Sequence, residues 1–355
     1  MRSLLSASRP VAIFGNGLGD HLLVLPALRA LADLFDGRLG LVCMAGAPGI
    51  FFSDLRLRSV SETVMQSVDG GKRFDADTVA REVGTCDLLL SLNPWHSSSM
   101  DRLLDLLAPP RSIGLHPSFE TPVRLDFERH SAELAFEVPR RVNPTLLMEP
   151  FAGPPRFRAA AERVARELRA LVPPPMRVLT VHADTGLWSA DGAHVAYADI
   201  APSLLRGNKM WPADRFVELL DTFLERHSDF VAFVVGGVDL QLDQGRSGSH
   251  VIQCCGLPLD VSFALVGSSD LFVGIDSCML HAADLYRVPG VGLFGPTSPG
   301  EFGFHFSAHR HVAGGPFMED LAVAPVLDAL DVLASTLETK PSRDRQDLAA
   351  DQCRS

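Results

Sequence analysis

Short apolar runs alternate with amphipathic stretches along this chain, and the pattern occurs twice. Short runs of this kind are typical of parallel β-strands that are buried on both faces. The first set of predicted strands covers residues 11–14, 39–44, 87–92 and 112–115. The second set covers residues 178–182, 230–235, 251–254, 271–275 and 291–294.

Apolar residues at helical spacing fill the gaps between these strands. The predicted helices cover residues 22–35, 158–171, 213–226, 259–266, 279–286 and 319–337. Regular alternation of strands and helices indicates an α/β fold in which helices cover both faces of parallel sheets. Ligands bind such sheets at the carboxyl ends of the strands, so two units in tandem predict a ligand cleft between them.

A proline-rich break, Pro173-Pro174-Pro175, separates the two occurrences of the pattern. We therefore predict one domain at residues 1–175, a second at 176–338, and a polar, disordered tail at 339–355. With 355 residues, the chain is long enough for two domains of ordinary size.

Composition narrows the class of protein. No apolar run reaches the roughly 18 residues that a membrane-spanning helix needs, so we expect no transmembrane segment. The opening residues lack the apolar region of a signal peptide, which predicts a cytoplasmic protein. The six cysteines form no C-x-x-C pair and no zinc-like cluster, so we predict reduced thiols and no metal site.

Charge is distributed unevenly between the two halves. Residues 1–175 hold 20 Lys and Arg against 20 Asp and Glu, whereas residues 176–355 hold 12 against 23. No run is rich in Lys and Arg, so we do not expect nucleic acid as a partner.

A glycine-rich turn follows the first predicted strand, in the sequence GNGLGD at residues 15–20. Gly17 and Gly19 allow a ligand to approach the backbone closely, and the free N–H groups of a helix start favour anions. The spacing G-x-G-x-G-D differs from the G-x-G-x-x-G of dinucleotide-binding proteins, which argues against NAD or FAD.

Asp20, at the end of this turn, fits two roles. Aspartate is a preferred N-cap, and a carboxylate that faces the cleft is also able to take a proton from an acceptor hydroxyl. A helix start lowers the pKa of a carboxyl group, whereas burial raises it, so the two effects oppose each other here. The neighbouring His21 is a weaker candidate base, and we expect it on the helix surface or at an interface.

A second candidate site follows the predicted strand at 271–275. Asp276, Ser277 and Cys278 stand where this strand meets a helix that carries His281, and this junction predicts an anion site. The next strand ends in Gly295-Pro296-Thr297, whose N–H groups and hydroxyl suit a phosphate or a ribose. Taken singly, Asp276 fits an N-cap, His281 a helix residue and Gly295-Pro296 an ordinary turn.

Lys209 precedes a predicted helix in the sequence NKMWPADRF. Its ammonium group suits a diphosphate, because the departure of a nucleoside diphosphate leaves negative charge that a lysine or a metal must meet. A lone lysine is otherwise an ordinary surface residue.

Together these motifs resemble glycosyltransferase family nine, the lipopolysaccharide heptosyltransferases and their relatives. The resemblance covers most of the chain and depends on the order and spacing of three motifs. The matching residues are Gly19-Asp20 with Leu25-Pro26-Ala27-Leu28, then Lys209-x-Trp211-Pro212, then Asp276-Ser277 with His281 and Leu293-Phe294-Gly295-Pro296-Thr297.

The resemblance implies two Rossmann-like domains that face each other across a cleft, the GT-B type. It implies an inverting, metal-independent transfer without a cofactor, from a nucleotide sugar that is typically an ADP-heptose. The first domain would hold the acceptor, which is a glycan, a glycolipid or a small metabolite, and the second would hold the donor. Asp20 would be the general base and Lys209 the diphosphate contact. The implied donor contacts are Thr185, Asp276, Ser277, Cys278, His281, Gly295, Pro296 and Thr297, and Gly17 and Gly19 form the loop near the acceptor and the diphosphate.

The chain departs from the family pattern in three ways. Relatives usually have glycine at the position of Cys278, and about twenty extra residues separate Thr185 from Lys209 here. An acidic residue after Gly236-Gly237 is expected to contact the donor, and Asp239 is the nearest candidate. The neutral charge of the first half favours a small or soluble acceptor over an anionic lipid core.

Two other functions agree with the same motifs. A non-catalytic protein that binds a nucleotide sugar would keep the fold, but it would have no use for a base at Asp20. A sugar-nucleotide epimerase of the same architecture would need further acids and bases, and the sequence identifies none.

Overall fold

The computed structural model describes residues 4–68, 71–184, 187–188, 194–195, 209–237, 239 and 241–338. The first half contains strands β1 to β8 and helices α1 to α5. Their bounds are β1 Pro10–Phe14, α1 Leu18–Leu34, β2 Gly40–Met44, α2 Pro48–Phe51, β3 Ser59–Thr63, β4 Gln66–Val68, β5 Gly71–Arg73, α3 Ala76–Val83, β6 Leu88–Ser91, α4 Ser98–Leu107, β7 Ser112–Gly114, β8 Thr121–Pro122 and α5 Ser131–Val142.

The second half starts with a helix and then repeats the alternation. Its elements are α6 Ala159–Arg169, β9 Arg177–His182, β10 Leu187–Trp188, β11 His194–Val195, α7 Ala213–Arg226, β12 Phe230–Gly236, β13 Val251–Cys255, α8 Leu259–Gly267, β14 Leu271–Ile275, α9 Cys278–Leu285, β15 Gly290–Phe294, α10 Pro299–Phe302, β16 His309–Ala313 and α11 Val323–Glu338.

Each half is built on one six-stranded parallel sheet. The first has the order β3-β2-β1-β6-β7-β8, and the second has the order β13-β12-β9-β14-β15-β16. Two antiparallel hairpins, β4–β5 and β10–β11, lie outside these sheets. The predicted α/β fold with two parallel sheets is therefore confirmed.

The strands that the hydrophobic pattern missed lie at the edges of the sheets. β3 has the sequence SVSET, and only Ser61 of its five residues is buried. β16, with the sequence HRHVA, has no buried residue. An edge strand keeps one side open to solvent, so its sequence carries no apolar run by which to recognise it.

The order of strands reverses at the centre of each sheet, between β1 and β6 and between β9 and β14. At such a point neighbouring connections leave in opposite directions, and a crevice opens at the carboxyl ends of the strands. The turn at residues 15–17 follows β1, Asp184 follows β9, and Asp276 follows β14. The topology thus places all three strand ends at a crevice.

One hydrophobic core connects the two halves. Helix α1 packs against α9, and α6 packs against α8. The ring of Phe263 on α8 lies 5.8 Å from that of Phe51 in the first half and 5.5 Å from that of Phe157. We call this cluster the shared core, because it contains buried residues from the inner faces of both sheets.

Two smaller clusters cover the outer faces. One lies between the first sheet and helices α3 and α4, and the other lies between the second sheet and helices α7 and α11. Because α6 packs against α8, the second sheet's layer begins before Pro173-Pro174-Pro175. The domain division at 175 stays a prediction, and the tail at 339–355 lies outside the described residues. Within the described residues, no helix has both the length and the apolar character to cross a membrane.

Candidate active site

Asp20 lies in the first turn of α1, at the carboxyl end of the central strand β1. The helix begins at Leu18 with Gly17 as its N-cap, so Asp20 is the third helical residue and not the cap. Its Oδ2 atom accepts a hydrogen bond from the backbone N–H of Gly17 at 3.0 Å. The Asn93 side chain holds the preceding turn, because its Oδ1 accepts the N–H of Gly15 at 2.9 Å. The carboxylate therefore has a fixed position at the mouth of the crevice.

Burial raises the pKa of Asp20 from 3.8 to about 6. The hydrogen bond from Gly17 and the positive charge of Lys209 act in the opposite direction, while the charge of Asp276 adds to the rise. Burial thus changes the pKa of Asp20 more than the helix start does. A carboxyl group with a pKa near the working pH is well suited to accept a proton.

His21 is a core residue and not the surface or interface residue that we expected. Its ring is fully buried, stacks on Phe51 at 5.3 Å and meets the edge of Phe14 at 5.0 Å. Its Nδ1 atom lies 2.8 Å from the carbonyl oxygen of Gly17. Burial lowers the pKa of His21 to about 4, so the ring is neutral and its Nδ1–H donates to that oxygen. The expected exposure on a helix surface was wrong, because α1 packs between α5 and α9 and is covered on both faces.

The second half presents Asp276 at the end of β14. The residue is only 3% exposed, and Ser277, not Asp276, is the N-cap of α9. The Nζ atom of Lys209 lies 2.6 Å from Oδ2 of Asp276. Lys209 is thus a partner of a buried carboxylate, with 35% of its side chain exposed to the cleft.

The starts of α1 and α9 meet at Gly19. A Cβ atom at this position would lie 3.1 Å from Cδ2 of His281 and 3.4 Å from the backbone nitrogen of Cys278. A larger residue would crowd the His281 ring and the start of α9. The glycine therefore allows the two predicted anion sites to face each other directly.

His281 is buried at this contact. Its Nε2 atom lies 3.8 Å from Oδ1 of Asp276, and its Nδ1 atom has no hydrogen-bond partner within the described part of the chain. Burial lowers its pKa to about 4, against the charge of Asp276, so the ring is neutral. Burial also raises the pKa of the Cys278 thiol to about 12, which keeps this sulfur protonated and unreactive.

His182 and Asp184, which the motifs did not single out, hold Ser277 in position through a hydrogen-bonded network. The Nδ1 atom of His182 lies 2.9 Å from Oγ of Ser277, and its Nε2 atom lies 3.2 Å from Oδ1 of Asp184. Asp184 also accepts a hydrogen bond from the N–H of Gly237 at 2.8 Å. This network ties together the ends of β9, β12 and the start of α9. The sequence signal was a polar residue at the end of a buried strand, His182, and an acidic residue two positions later, Asp184.

The turn Gly295-Pro296-Thr297 lies after β15 and leads into α10. Thr297 has a buried Oγ1 atom without a partner among the described residues. In α10, the ring of Phe302 lies 5.8 Å from Nζ of Lys209. Burial and the charges of Asp276 and Asp20 raise the pKa of Glu301. Helix α10, which follows the turn, therefore brings a third carboxylate to the crevice beside Asp20 and Asp276, and the sequence did not predict it.

Several acidic residues outside the crevice have local roles, and some candidate residues lie outside the part of the chain that the structure describes. Asp75 caps α3 through the N–H of Thr78 at 3.0 Å, and Asp77 pairs with Arg102 on the surface. Asp239 accepts the N–H of Gln241 at 2.7 Å in an exposed turn. Thr185 and most of the extra segment before Lys209 fall outside the described residues.

This fold is the GT-B architecture of glycosyltransferases. A family 9 glycosyltransferase from Veillonella parvula DSM 2008 aligns with a TM-score of 0.69 and 17% identity, over 92% of this chain and 97% of its own. E. coli ADP-heptose lipopolysaccharide heptosyltransferase II aligns at 0.66 and 14% identity, over 93% and 100%. E. coli heptosyltransferase WaaC with ADP aligns at 0.62 and 14% identity, over 92% and 99%.

A family model matches part of the sequence as well. The model of glycosyltransferase family 9 (heptosyltransferase) matches residues 161–323, the stretch that contains Lys209, Asp276 and His281. The protein is therefore a glycosyltransferase with a family 9 domain, and the resemblance drawn from its motifs is confirmed. A search of curated protein sequences finds no match.

Proposed function

We propose that this glycosyltransferase moves a sugar from a nucleoside diphosphate to an acceptor hydroxyl with inversion and without a metal. Asp20 is the general base, and Lys209 stabilises the leaving diphosphate. The observation that carries this proposal is the meeting of the two helix starts at Gly19, which brings a carboxylate of raised pKa and a cation to one crevice. Acceptor and donor would then occupy opposite sides of that contact.

The reaction needs one proton transfer and one displacement. The acceptor oxygen forms a bond to the anomeric carbon while Asp20 takes the hydroxyl proton. The bond between that carbon and the diphosphate oxygen breaks, and the electron pair leaves with the diphosphate. Attack from the face opposite the leaving group inverts the anomeric centre. A carboxyl group whose pKa is about 6 is ionised at neutral pH and still basic enough for this step.

The leaving diphosphate would lie at the start of α9. The backbone N–H groups there carry partial positive charge, and Lys209 adds a full charge beside them. An ammonium group has three donors, and Asp276 engages one of them at 2.6 Å, so others remain for phosphate oxygens. We propose that this fixed cation takes the role that a divalent metal has in other transferases.

The other donor contacts follow from the same placement. Ser277, Cys278, His281 and the turn Gly295-Pro296-Thr297 surround the start of α9, and Thr185 is proposed from the family pattern. The sugar is proposed to be a heptose from ADP-heptose, because one similar enzyme is named for ADP-heptose and another was solved with ADP. The cytoplasmic location expected above stays a prediction.

A thermal-shift titration with nucleotides tests the donor site. ADP-heptose, ADP, and UDP- and GDP-sugars are compared with and without EDTA, with Lys209→Met as the matched variant. We expect ADP and ADP-heptose to raise Tm by several degrees, since a ligand at a hundred times its Kd stabilises by about 2.7 kcal/mol. The shift should shrink in Lys209→Met.

The outcomes separate the parts of the proposal. A shift with a UDP- or GDP-sugar alone would replace ADP-heptose as the donor and leave the mechanism in place. A shift that EDTA removes would overturn metal independence. No shift with any nucleotide would overturn the donor site. Release of ADP, followed by the anomeric configuration of the product by NMR, then tests transfer and inversion.

A further inference from the structure

A pocket opens beside Asp20, on the side of the crevice that belongs to the first half. It lies between α1, α5 and the ends of β6 and β7, and α10 from the second half closes its rim. Most of its lining is apolar, including Leu23, Val24, Leu115 and Leu134, which are each no more than 5% exposed. Asp20 is the functional group at its mouth, so whatever fills the pocket lies next to the proposed base.

The charge of this pocket restricts its occupant. Asn16, Asp20, Ser131 and Glu301 are its polar members, and none of the described residues that line it is a lysine or an arginine. The charge of Asp20 raises the pKa of Glu301, and Lys209, which lies outside the lining, lowers the pKa of both carboxyl groups. An anionic group entering here would meet two carboxylates and no cation in the described lining. Like charges in such a partly buried site repel strongly.

The size of the pocket restricts its occupant as well. Its volume is about 70 Å³. An apolar protein cavity of about 150 Å³ binds benzene, so this pocket suits a more compact group such as a short alkyl chain. The rest of an acceptor would then lie outside, in the crevice.

Phe127 adds exposed apolar surface at the mouth of the pocket. Its ring is part of the pocket lining and yet is 57% exposed. Exposed aromatic rings at the rim of an apolar site are typical of surfaces that cover an apolar ligand. The ring extends the apolar surface from the pocket floor towards the crevice.

We infer that this pocket binds an uncharged, compact apolar part of the acceptor and so selects neutral acceptors over anionic ones. The inference rests on the proposed function, since it places the acceptor hydroxyl at Asp20. Burial of the apolar group would hold this hydroxyl beside the carboxylate. Glu301 would act as a specificity residue, because it repels a negative charge on the acceptor.

Ligand-observed NMR with two small alcohols tests this inference without donor and without turnover. The probes are n-pentanol and 5-hydroxypentanoate, which share a hydroxyl on a short chain and differ by one carboxylate. We expect saturation transfer from the full-length protein to n-pentanol, with at least fivefold weaker binding of 5-hydroxypentanoate. Glu301→Gln should narrow that difference at least threefold by strengthening the binding of the anion.

Two phenylalanines serve as a matched pair of variants. Phe127→Ala should weaken n-pentanol binding about threefold to fivefold, because it removes apolar surface at the mouth. Phe317→Ala removes an equally exposed ring, 56% exposed, that is not part of the pocket lining, and should leave binding unchanged. Both changes are at exposed rings, so folding should survive them, and thermal melting checks this.

The experiments distinguish failure of the inference about the pocket from failure of the proposed function with Asp20 as the base. Equal binding of the two probes to the wild-type protein would overturn the selection of neutral acceptors. Pentanol binding that is absent, or that Phe127→Ala leaves unchanged, would overturn the apolar pocket itself. Selective n-pentanol binding together with full transfer activity in Asp20→Asn would keep the pocket and overturn Asp20 as the base.

Discussion

Asp20 and Asp276 occupy similar places in the two halves and have different surroundings. Each follows a central strand of a six-stranded parallel sheet and lies at the start of a helix that crosses the shared core. Asp276 is 3% exposed and holds Lys209 at 2.6 Å. Asp20 is half-buried, and its hydrogen-bond partner is a backbone N–H of its own turn.

The difference shows how one residue type serves two roles. A buried carboxylate with a cation beside it positions that cation. A carboxylate that is desolvated and has no ion-pair partner takes a raised pKa and can receive a proton. The role of each aspartate thus depends on whether Lys209 forms an ion pair with it.

The largest expected effect is the loss of turnover in Asp20→Asn. Asparagine keeps the size of the side chain and an oxygen for the Gly17 N–H, but it does not accept the acceptor proton. We expect kcat to fall by about 10²–10⁴, the usual contribution of a general base. The assay is ADP release with an acceptor present, and a circular-dichroism melt checks folding. Near-normal turnover would show that Asp20 is not the base.

Lys209→Met should have the next largest effect. It removes the cation from the leaving group and leaves Asp276 buried without its partner. We expect a fall in kcat of about 10²–10³. We also expect a loss of about 2–3 kcal/mol in the free energy of unfolding, somewhat less than for a fully buried pair, because part of the lysine is exposed.

The double variant Lys209→Met/Asp276→Asn separates these two effects. Removal of both charges should restore most of the stability, since no uncompensated charge remains, but it should not restore turnover. Chemical denaturation and ADP release measure the two quantities on the same protein. Stability that stays low in the double variant would contradict the ion-pair assignment.

The pH dependence of kcat/KM should follow the ionisation of Asp20. A base must be unprotonated, so kcat/KM should be level above about pH 6 and fall about tenfold per pH unit below it. This acidic limb should be absent from the residual activity of Asp20→Asn. A midpoint near pH 4 would mean that Asp20 has the pKa of an ordinary surface carboxyl group.

The smallest expected effect is the pH dependence of the free energy of unfolding. The neighbours Asp20 and His21 contribute to it with opposite signs. The pKa of Asp20 is raised in the folded protein from 3.8 to about 6, so the folded state binds more protons between these values and loses stability as pH rises. The pKa of His21 is lowered from 6.5 to about 4, so its contribution is lost as pH falls through the same range. At neutral pH, the free energy of unfolding of Asp20→Asn should therefore be about 1–2 kcal/mol higher than that of the wild type.

Denaturant titrations of both proteins at several pH values measure this difference. The gain in Asp20→Asn should be full above pH 6, should shrink as the pH falls from 6 to 4, and should vanish only well below pH 3.8, where Asp20 is protonated in both states. A difference that does not change with pH would show that burial does not raise the pKa of Asp20. An active-site base that destabilises the fold is a common exchange of stability for function.

The sequence predicted the interior of the fold well and its edges poorly. Buried strands such as β1, β9 and β14 have continuous apolar runs, and the turns after them carry Gly19, Asp20 and Asp276. Edge strands such as β3 and β16 lack that signal. The hydrophobic pattern records burial along one segment, so it reveals the elements that are covered on both faces.

Contacts between the halves were the part that the sequence did not reveal. His21 was expected at a helix surface or interface, but its ring is fully buried against Phe14 and Phe51 of its own half. The pairing of Lys209 with Asp276 joins residues that are 67 positions apart. Glu301 entered the site only because α10 closes over the crevice. Each of these features depends on distances across the fold, which no local spacing encodes.

The shared core has a consequence for how this protein unfolds. Two domains joined only by a linker melt separately, each with its own heat capacity peak. Here one hydrophobic cluster contains buried residues from the inner faces of both sheets, and Phe263 in it contacts both Phe51 and Phe157. Melting of either half would expose the apolar surface of the other. Calorimetry should therefore record a single cooperative transition for the whole chain, with a calorimetric enthalpy equal to the van't Hoff enthalpy.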